Sequence, residues 1–229
     1  MKALLWKDCR VNQFVLIAGT VILLLPYLVC LIFITFTQWY WPVDQMRHWN
    51  YETVTVCGSI SLMLSMVTIA MLGGNAMAAE RADRSAEFLF YLPPSRRSLI
   101  ASKIILAVGA SLLIWIVNGV TLLVIAPRLP GAPSLGDGAL RAAAGDRMLH
   151  LAVTAVLILG VAWLLSAFAS AKIAAICGFI APDVIVGALL GVHYLHPFPY
   201  LKWYTTLALT GGILSFIAGT LVYLRRYEP

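Results

Sequence analysis

Six stretches of the chain contain no Asp, Glu, Lys or Arg: Val11 to Val43, Thr53 to Ala79, Ile104 to Pro127, Met148 to Ala171, Val184 to Leu201 and Trp203 to Leu224. Each holds, or nearly holds, the roughly 20 apolar residues that carry an α-helix across a bilayer. In lipid only internally hydrogen-bonded helices or closed barrels satisfy the backbone, and barrel strands alternate with a period of two. No such alternation runs through these stretches. The pattern predicts an all-α integral membrane protein, one transmembrane domain over 1–229, with six transmembrane helices near 14–36, 54–77, 104–126, 150–169, 173–191 and 204–224.

Composition sharpens the class. Hydrophobic residues make up 61% of the chain and charged residues 11%, whereas a soluble domain is about half apolar and a quarter charged. So few charges cannot cover a soluble surface, and so much apolar residue excludes disorder. The formal charge of +6 would raise nucleic-acid binding in a soluble protein, but here the placement of the cations matters more than their sum. With the six spans drawn as above, Lys2, Lys7, Arg10, Arg81, Arg84, Arg96, Arg97, Lys103, Lys172, Arg225 and Arg226 fall on one side, and Arg47, Arg128, Arg141, Arg147 and Lys202 on the other. Positive charge gathers on cytoplasmic loops, so both termini are expected in the cytoplasm and the cations are read as topology. The basic start before an apolar run has the look of a signal peptide, but the run is too long and no A-x-A site follows. An uncleaved first span is expected.

Cys9, Cys30, Cys57 and Cys177 make no CxxC pair, so no metal or disulfide framework is indicated. Cys30 and Cys57 both fall in the outer part of neighbouring spans, where a pairing stays open. The first external loop, Thr37 to Thr53, carries Trp39, Tyr40, Trp41, Trp49 and Tyr51, rings that anchor at the headgroup layer. A second external segment, Pro127 to Arg147, reads as an irregular loop with a short helix at its end. Spans four and five are joined by a tight turn around Ser170 and Lys172. The aromatic external segment 192–203, broken by Pro197 and Pro199, is short enough to dip into the outer leaflet.

Few segments can carry chemistry. There is no Gly-x4-Gly-Lys-Ser/Thr phosphate loop, so the chain does not bind ATP by that device. Gly136 to Arg141 has the wrong spacing for a CDP-alcohol phosphotransferase site. His193 and His196 are three apart, a spacing that suits a metal on a helix face, but Pro197 follows directly and no cysteine or carboxylate partner lies nearby. The segment after span two is different: Glu80 to Arg97 is the densest charged stretch in the chain. As a helix it sets Glu80 four residues before Arg84, the favourable order for an ion pair, and it ends at Pro93-Pro94. Ser95 then suits the N-cap of the next helix. Phe88, Leu89, Phe90 and Tyr91 beside Glu80, Asp83 and Glu87 offer an apolar and an acidic surface for another protein. From periodicity alone, a solvated loop fits equally well.

The passage Ala79-Glu80-Arg81 through Glu87, Leu92-Pro93, Ser95-Arg96, Ile100 and Lys103 resembles the characteristic segment of type-2 ABC exporter permeases, whose pattern is approximately Glu-Arg, Gly-Thr, Glu, Leu-Pro-x-Ser-Arg and a lysine opening the third span. Where the pattern has Gly-Thr, this sequence has Arg84-Ser85. Leu4 to Arg10 is similar to that family's N-terminal interfacial helix. The resemblance implies a transmembrane subunit that pairs with a second permease copy or a homologue and with two cytoplasmic ABC ATPase subunits, which bind ATP and Mg; no cofactor is expected in this chain. It implies a coupling helix within 79–98, with Glu80, Asp83 and Glu87 on the docking face and Arg81 and Arg84 in support. The implied location is the cytoplasmic (inner) membrane of a bacterium. An ion-coupled secondary transporter and a non-transporting assembly or sensory subunit are the other function classes. The former should show paired broken helices, yet Pro26 and Pro182 do not occupy matching positions.

Asp183 is the one acidic residue within a span, about 16 Å along a helix from Lys172. An intramembrane carboxylate marks a substrate or ion contact by default. The alternative is that Pro182 breaks the helix and Asp183 caps the freed N–H groups of its outer half. Asn118, in span three, is expected to hydrogen-bond between helices.

Overall fold

The computed structural model describes residues 2–40, 43–82, 96–128, 138–196 and 198–226. Among these the structure is helical, with no strand: α1 Lys2–Val11, α2 Gln13–Tyr40, α3 Val43–Ala82, α4 Arg96–Val120, α5 Gly138–Ser166, α6 Ala171–Leu195 and α7 Tyr200–Arg226. Six of them, α2 to α7, with α4 prolonged by the helical turn Thr121–Ile125, supply stretches long and apolar enough to cross a membrane, at Gln13–Phe36, Asn50–Arg81, Arg97–Ile125, Met148–Ser166, Ala171–Leu195 and Tyr200–Arg225. Each overlaps one expected span. The charge-free runs locate them because a bilayer core tolerates little else.

The helices overrun the expected loops. The first connecting segment is almost wholly helical, since α2 continues to Tyr40 and α3 starts at Val43. Likewise α5 begins at Gly138 and runs unbroken into span four, in place of a separate short helix. α6 ends at Leu195 and α7 starts at Tyr200, so both helices extend into the external segment 192–203. The Phe198 N–H donates to His193 Nδ1 at 3.3 Å, and the His193 ring lies against Phe198 and Tyr200. A local hydrogen bond and ring packing therefore close this connection. Of the expected coupling segment 79–98, residues 79–82 end α3 and 96–98 begin α4, while 83–95 lie outside the described residues.

α3 is the central element: half of its most apolar window is buried, against 22% or less for the windows of α2, α6 and α7. It packs on α2, α5, α6 and α4, while α5 packs on α6 and α7 and α1 leans on α4. Lipid chains give helices no hydrophobic reason to associate, so close packing must come from small residues. At the α5–α7 crossing a Cβ on Gly160 would collide with the Gly212 carbonyl oxygen, so the two backbones touch there. Trp163 on α5 is fully buried and spans the same interface: its indole N–H donates to Thr220 Oγ1 at 3.2 Å, and its ring stacks at 4.7 Å on Phe216.

Two prolines sit inside helices without ending them, Pro26 in α2 and Pro182 in α6. The expected break at Pro182 is therefore corrected, and Asp183 caps no second half-helix. One turn before the proline, Gly178 packs so closely on α5 that a Cβ there would lie 2.6 Å from the Ala162 methyl and 2.9 Å from the Ile158 carbonyl oxygen. That tight face, with Ala174, Gly178 and Pro182 all buried, keeps the helix continuous across the missing N–H, as neighbouring helices do in membranes.

Candidate functional site

The end of the bundle that carries Lys2, Arg81, Arg97, Lys172 and Arg225, here called the basic end, contains a buried ion cluster. Glu80 ends the apolar part of α3 and Lys103 lies on the second turn of α4, on opposite sides of the coupling segment in sequence but adjacent in space. The Lys103 ammonium stands 3.1 Å from Glu80 Oε1 and 3.5 Å from Asp8 Oδ1 of α1. Lys7 reaches the same Glu80 oxygen at 3.5 Å, and the Tyr223 hydroxyl of α7 donates to Glu80 Oε2 at 2.9 Å. Ser102 donates its hydroxyl to Asp8 Oδ2. All of Asp8, Glu80 and Lys103 are 6% exposed.

Charges withdrawn from water this far are retained only when paired and hydrogen-bonded, and here the pairing links four helices. α1, α3, α4 and α7 each contribute a side chain. Asn12, the single non-helical residue between α1 and α2, extends the network: its amide donates to the Asp8 carbonyl at 2.9 Å and accepts from the Asn75 amide of α3 at 2.7 Å. Arg81, next to Glu80, turns the other way. Its guanidinium donates to the Ser166 carbonyl at 2.6 Å and to the Ala169 carbonyl, filling the free carbonyls at the C-terminal end of α5 and in the turn to α6. Cations belong at such an end. The pair Glu80-Arg81 thus touches α1, α4, α7 and the α5–α6 turn at once.

Of the expected docking residues, then, Glu80 and Arg81 are described, and both point into the bundle. Asp83, Arg84 and Glu87 fall outside the described residues. Local spacing suggested an exposed acidic row because it sees only partners three or four residues away, whereas the partners of Glu80 lie in elements distant in sequence. A signal for the cluster was present in Asp8, an acid flanked by Lys7 and Arg10 in an otherwise basic helix; nothing in the sequence marked Tyr223.

The other expected residues are separate from this site. Asn118 is completely buried, accepts from the Tyr27 hydroxyl of α2 at 2.7 Å and donates to the Ile114 carbonyl at 2.9 Å. Ser61 of α3 donates to the Leu23 carbonyl at 2.8 Å, so a small polar core ties the first three spans. Directly after it the helix widens into a π-helical turn, Thr121–Ile125, a feature frequent at functional sites. Pro182 is buried, but Asp183 is exposed on the outer face of α6. A groove of about 390 Å³ opens between α4 and α7 over α5, lined by residues such as Leu112, Trp115, Ala155, Ile213 and Phe216. Its one hydroxyl, Ser111, is spent on the Ala107 carbonyl at 2.8 Å. Among the described residues no group of His, Cys, Asp and Glu is placed to hold a metal ion.

The ion cluster stands at the mouths of the two spans that flank the charged segment 83–95. A model of the ABC-2 family transporter protein matches residues 6–181. The chain belongs to the ABC-2 transporter family. Curated proteins and solved structures give no match. The matched region of this ABC-2 protein takes in Asp8, Glu80, Arg81 and Lys103 and stops just before Pro182 and Asp183, with α7 beyond it. ABC-2 membrane proteins are the multi-pass permease component of ABC transporters, are not themselves the ATPase, and associate with ABC ATPase subunits.

Proposed function

We propose that this chain is the permease subunit of an ATP-driven ABC exporter in the cytoplasmic (inner) membrane of a bacterium, working as a dimer with two ATPase subunits at its basic end, which faces the cytoplasm. The observation that carries this reading is the position of Glu80-Arg81. The two residues stand immediately before the charged segment 83–95, and Lys103 stands shortly after it. Any pull on that segment by an ATPase is delivered first to a place where α1, α3, α4, α7 and the α5–α6 turn are joined by ion pairs and hydrogen bonds. A local displacement is thereby shared by five elements, which is what a rigid-body switch between two packings requires. ATP and Mg are bound by the partner subunits, and Asp83, Arg84 and Glu87 form the contact with them.

The outer face of α6 supports the second copy. Asp183, Gly187 and Gly191 recur every four residues, all are exposed, and nothing lies within 4 Å of a Cβ built on either glycine. A carboxylate at mid-span is not left facing lipid, and a Gly-x3-Gly row lets two helices approach closely. The face is suited to a partner helix or to the pathway between two copies, with Asp183 contacting what passes.

The test is co-purification and coupling. The chain, extracted in detergent, should retain an ATP-binding partner. Replacement of Glu87 by Lys should leave membrane insertion and expression intact while ATP hydrolysis no longer drives transport. Coupled transport unchanged in that variant, or reproducible absence of any ATPase from the purified complex, rejects the reading.

A further inference from the structure

Among the described residues, the exposed charges at the basic end are all cations. On α1, Lys2, Trp6 and Arg10 recur every four residues and all are exposed, with Trp6 at 64%. The Arg10 guanidinium lies over the Trp6 ring at 5.3 Å. The one acid of α1, Asp8, faces the opposite way and is consumed by Lys103 and Ser102. Arg97 is exposed at the start of α4, the helix on which α1 packs. Just beyond the bend at Asn12, the exposed Phe14 begins the lipid-facing side of span one. A stripe of cations interleaved with an indole, at the point where a span leaves the hydrocarbon, has the chemistry of the headgroup layer: the ring takes the interface and the cations take phosphate.

We propose that the outer face of α1, with Lys2, Trp6 and Arg10 and supported by Arg97, binds anionic phospholipid headgroups, and that this binding sets the ion cluster on the inner face of the same helix. The second half rests on the coupling role proposed above. α1 is ten residues long and carries both surfaces. Lys7 and Asp8 on its inner side are partners of Glu80 and Lys103. A headgroup that draws Lys2 and Arg10 toward the membrane therefore fixes where Lys7 and Asp8 can stand. Anionic lipid holds the cluster closed, and neutral lipid leaves α1 free to shift and the hub loose. The lipid surface is favoured over an acidic protein because the tryptophan and Phe14 share the exposed side with the cations.

The permease chain alone, purified in detergent and exchanged with equal phosphatidylglycerol and phosphatidylcholine, is weighed by native mass spectrometry for the lipid it retains. The parent should hold phosphatidylglycerol in preference. Because each cation near an anionic surface contributes about fivefold, K2Q/R10Q should lose that preference by roughly 25-fold, while K2R/R10K, which keeps the charges, should retain it. Equal retention in the parent and K2Q/R10Q overturns the lipid site, and this readout needs no ATPase. The complete complex in nanodiscs of increasing phosphatidylglycerol content then reports regulation: ATPase activity should respond to the anionic fraction in the parent and in K2R/R10K and lose the response in K2Q/R10Q. A response unchanged in K2Q/R10Q overturns the regulatory half. Loss of the ATPase subunit from K2Q/R10Q with lipid retention intact makes the face a protein-docking surface and overturns the proposal.

Discussion

Replacing Lys103 with Met isolates the energetic weight of the ion cluster. The substitution keeps the length and most of the apolar volume of the side chain and removes one ammonium that serves two buried carboxylates, at 3.1 Å from Glu80 and 3.5 Å from Asp8. Glu80 keeps the partly exposed Lys7 and the Tyr223 hydroxyl. Asp8 keeps the Ser102 hydroxyl and loses the ammonium that stood 3.5 Å from its Oδ1. Breaking a buried ion pair from one side costs about 3–5 kcal/mol, because a charge remains in low dielectric without its partner. Glu80→Gln is milder: it retains an acceptor for Tyr223 and leaves Lys103 to Asp8, for about 1–3 kcal/mol. The double variant removes one charge of each sign, so its cost should fall short of the two single costs combined by about 1–3 kcal/mol. Equilibrium unfolding in mixed detergent micelles as the SDS fraction rises, followed by tryptophan fluorescence, measures all three against the parent. A Lys103→Met protein within about 1 kcal/mol of the parent, or single effects additive within about 0.5 kcal/mol, would refute the view that these charges hold the helices together.

Gly212→Val places a side chain 2.8 Å from the Val156 carbonyl and 2.9 Å from Leu157 Cα, where no flexible group can yield. It should destabilise by at least the about 1–3 kcal/mol of an overpacked core in the same unfolding assay, and Gly211→Ala, whose Cβ would meet Leu157 only at 3.7 Å, should be nearly silent. Tyr27→Phe removes the donor to Asn118 and should cost about 0.6–1.7 kcal/mol, the range of interhelical hydrogen bonds in membranes; a neutral result would show that the polar core among the first three spans is not a fastener. Gly191→Leu fills the open face of α6 and should lower the fraction of chemically cross-linked dimer in native membranes without lowering expression, and an unchanged dimer fraction would place the second copy elsewhere.

The spans were legible in the sequence because hydrocarbon excludes charge, and the first charge beyond each run marks where lipid ends. It does not mark where a helix ends. Residues 43–53 include Asp44, Arg47 and Glu52, yet α3 runs through them, since nothing there breaks a helix once water replaces lipid. The site was legible in position and misread in direction. Glu80 and Arg81 stood out by their charge at a span boundary, but whether a side chain at such a boundary faces water or the bundle depends on which helices come to meet it. Lys103 is 23 residues on in the chain, and Tyr223 is 143. Pro182 misled for a related reason: its cost is local, whereas its remedy, the close seat of Gly178 on α5, belongs to another helix.

The hydrogen bond from Tyr223 to Glu80 also bears on biosynthesis. When Glu80 leaves the ribosome, Lys7 of α1 is the one cation of the cluster already made, Lys103 follows within one more span, and the hydroxyl arrives only with α7. The glycine contact at Gly160 and Gly212 lets that helix seat closely against α5 when it comes. A chain stopped before α7 would leave Glu80 Oε2 without this donor. Seating of α7 is thus the event that supplies Glu80 Oε2 with its donor and completes the cluster.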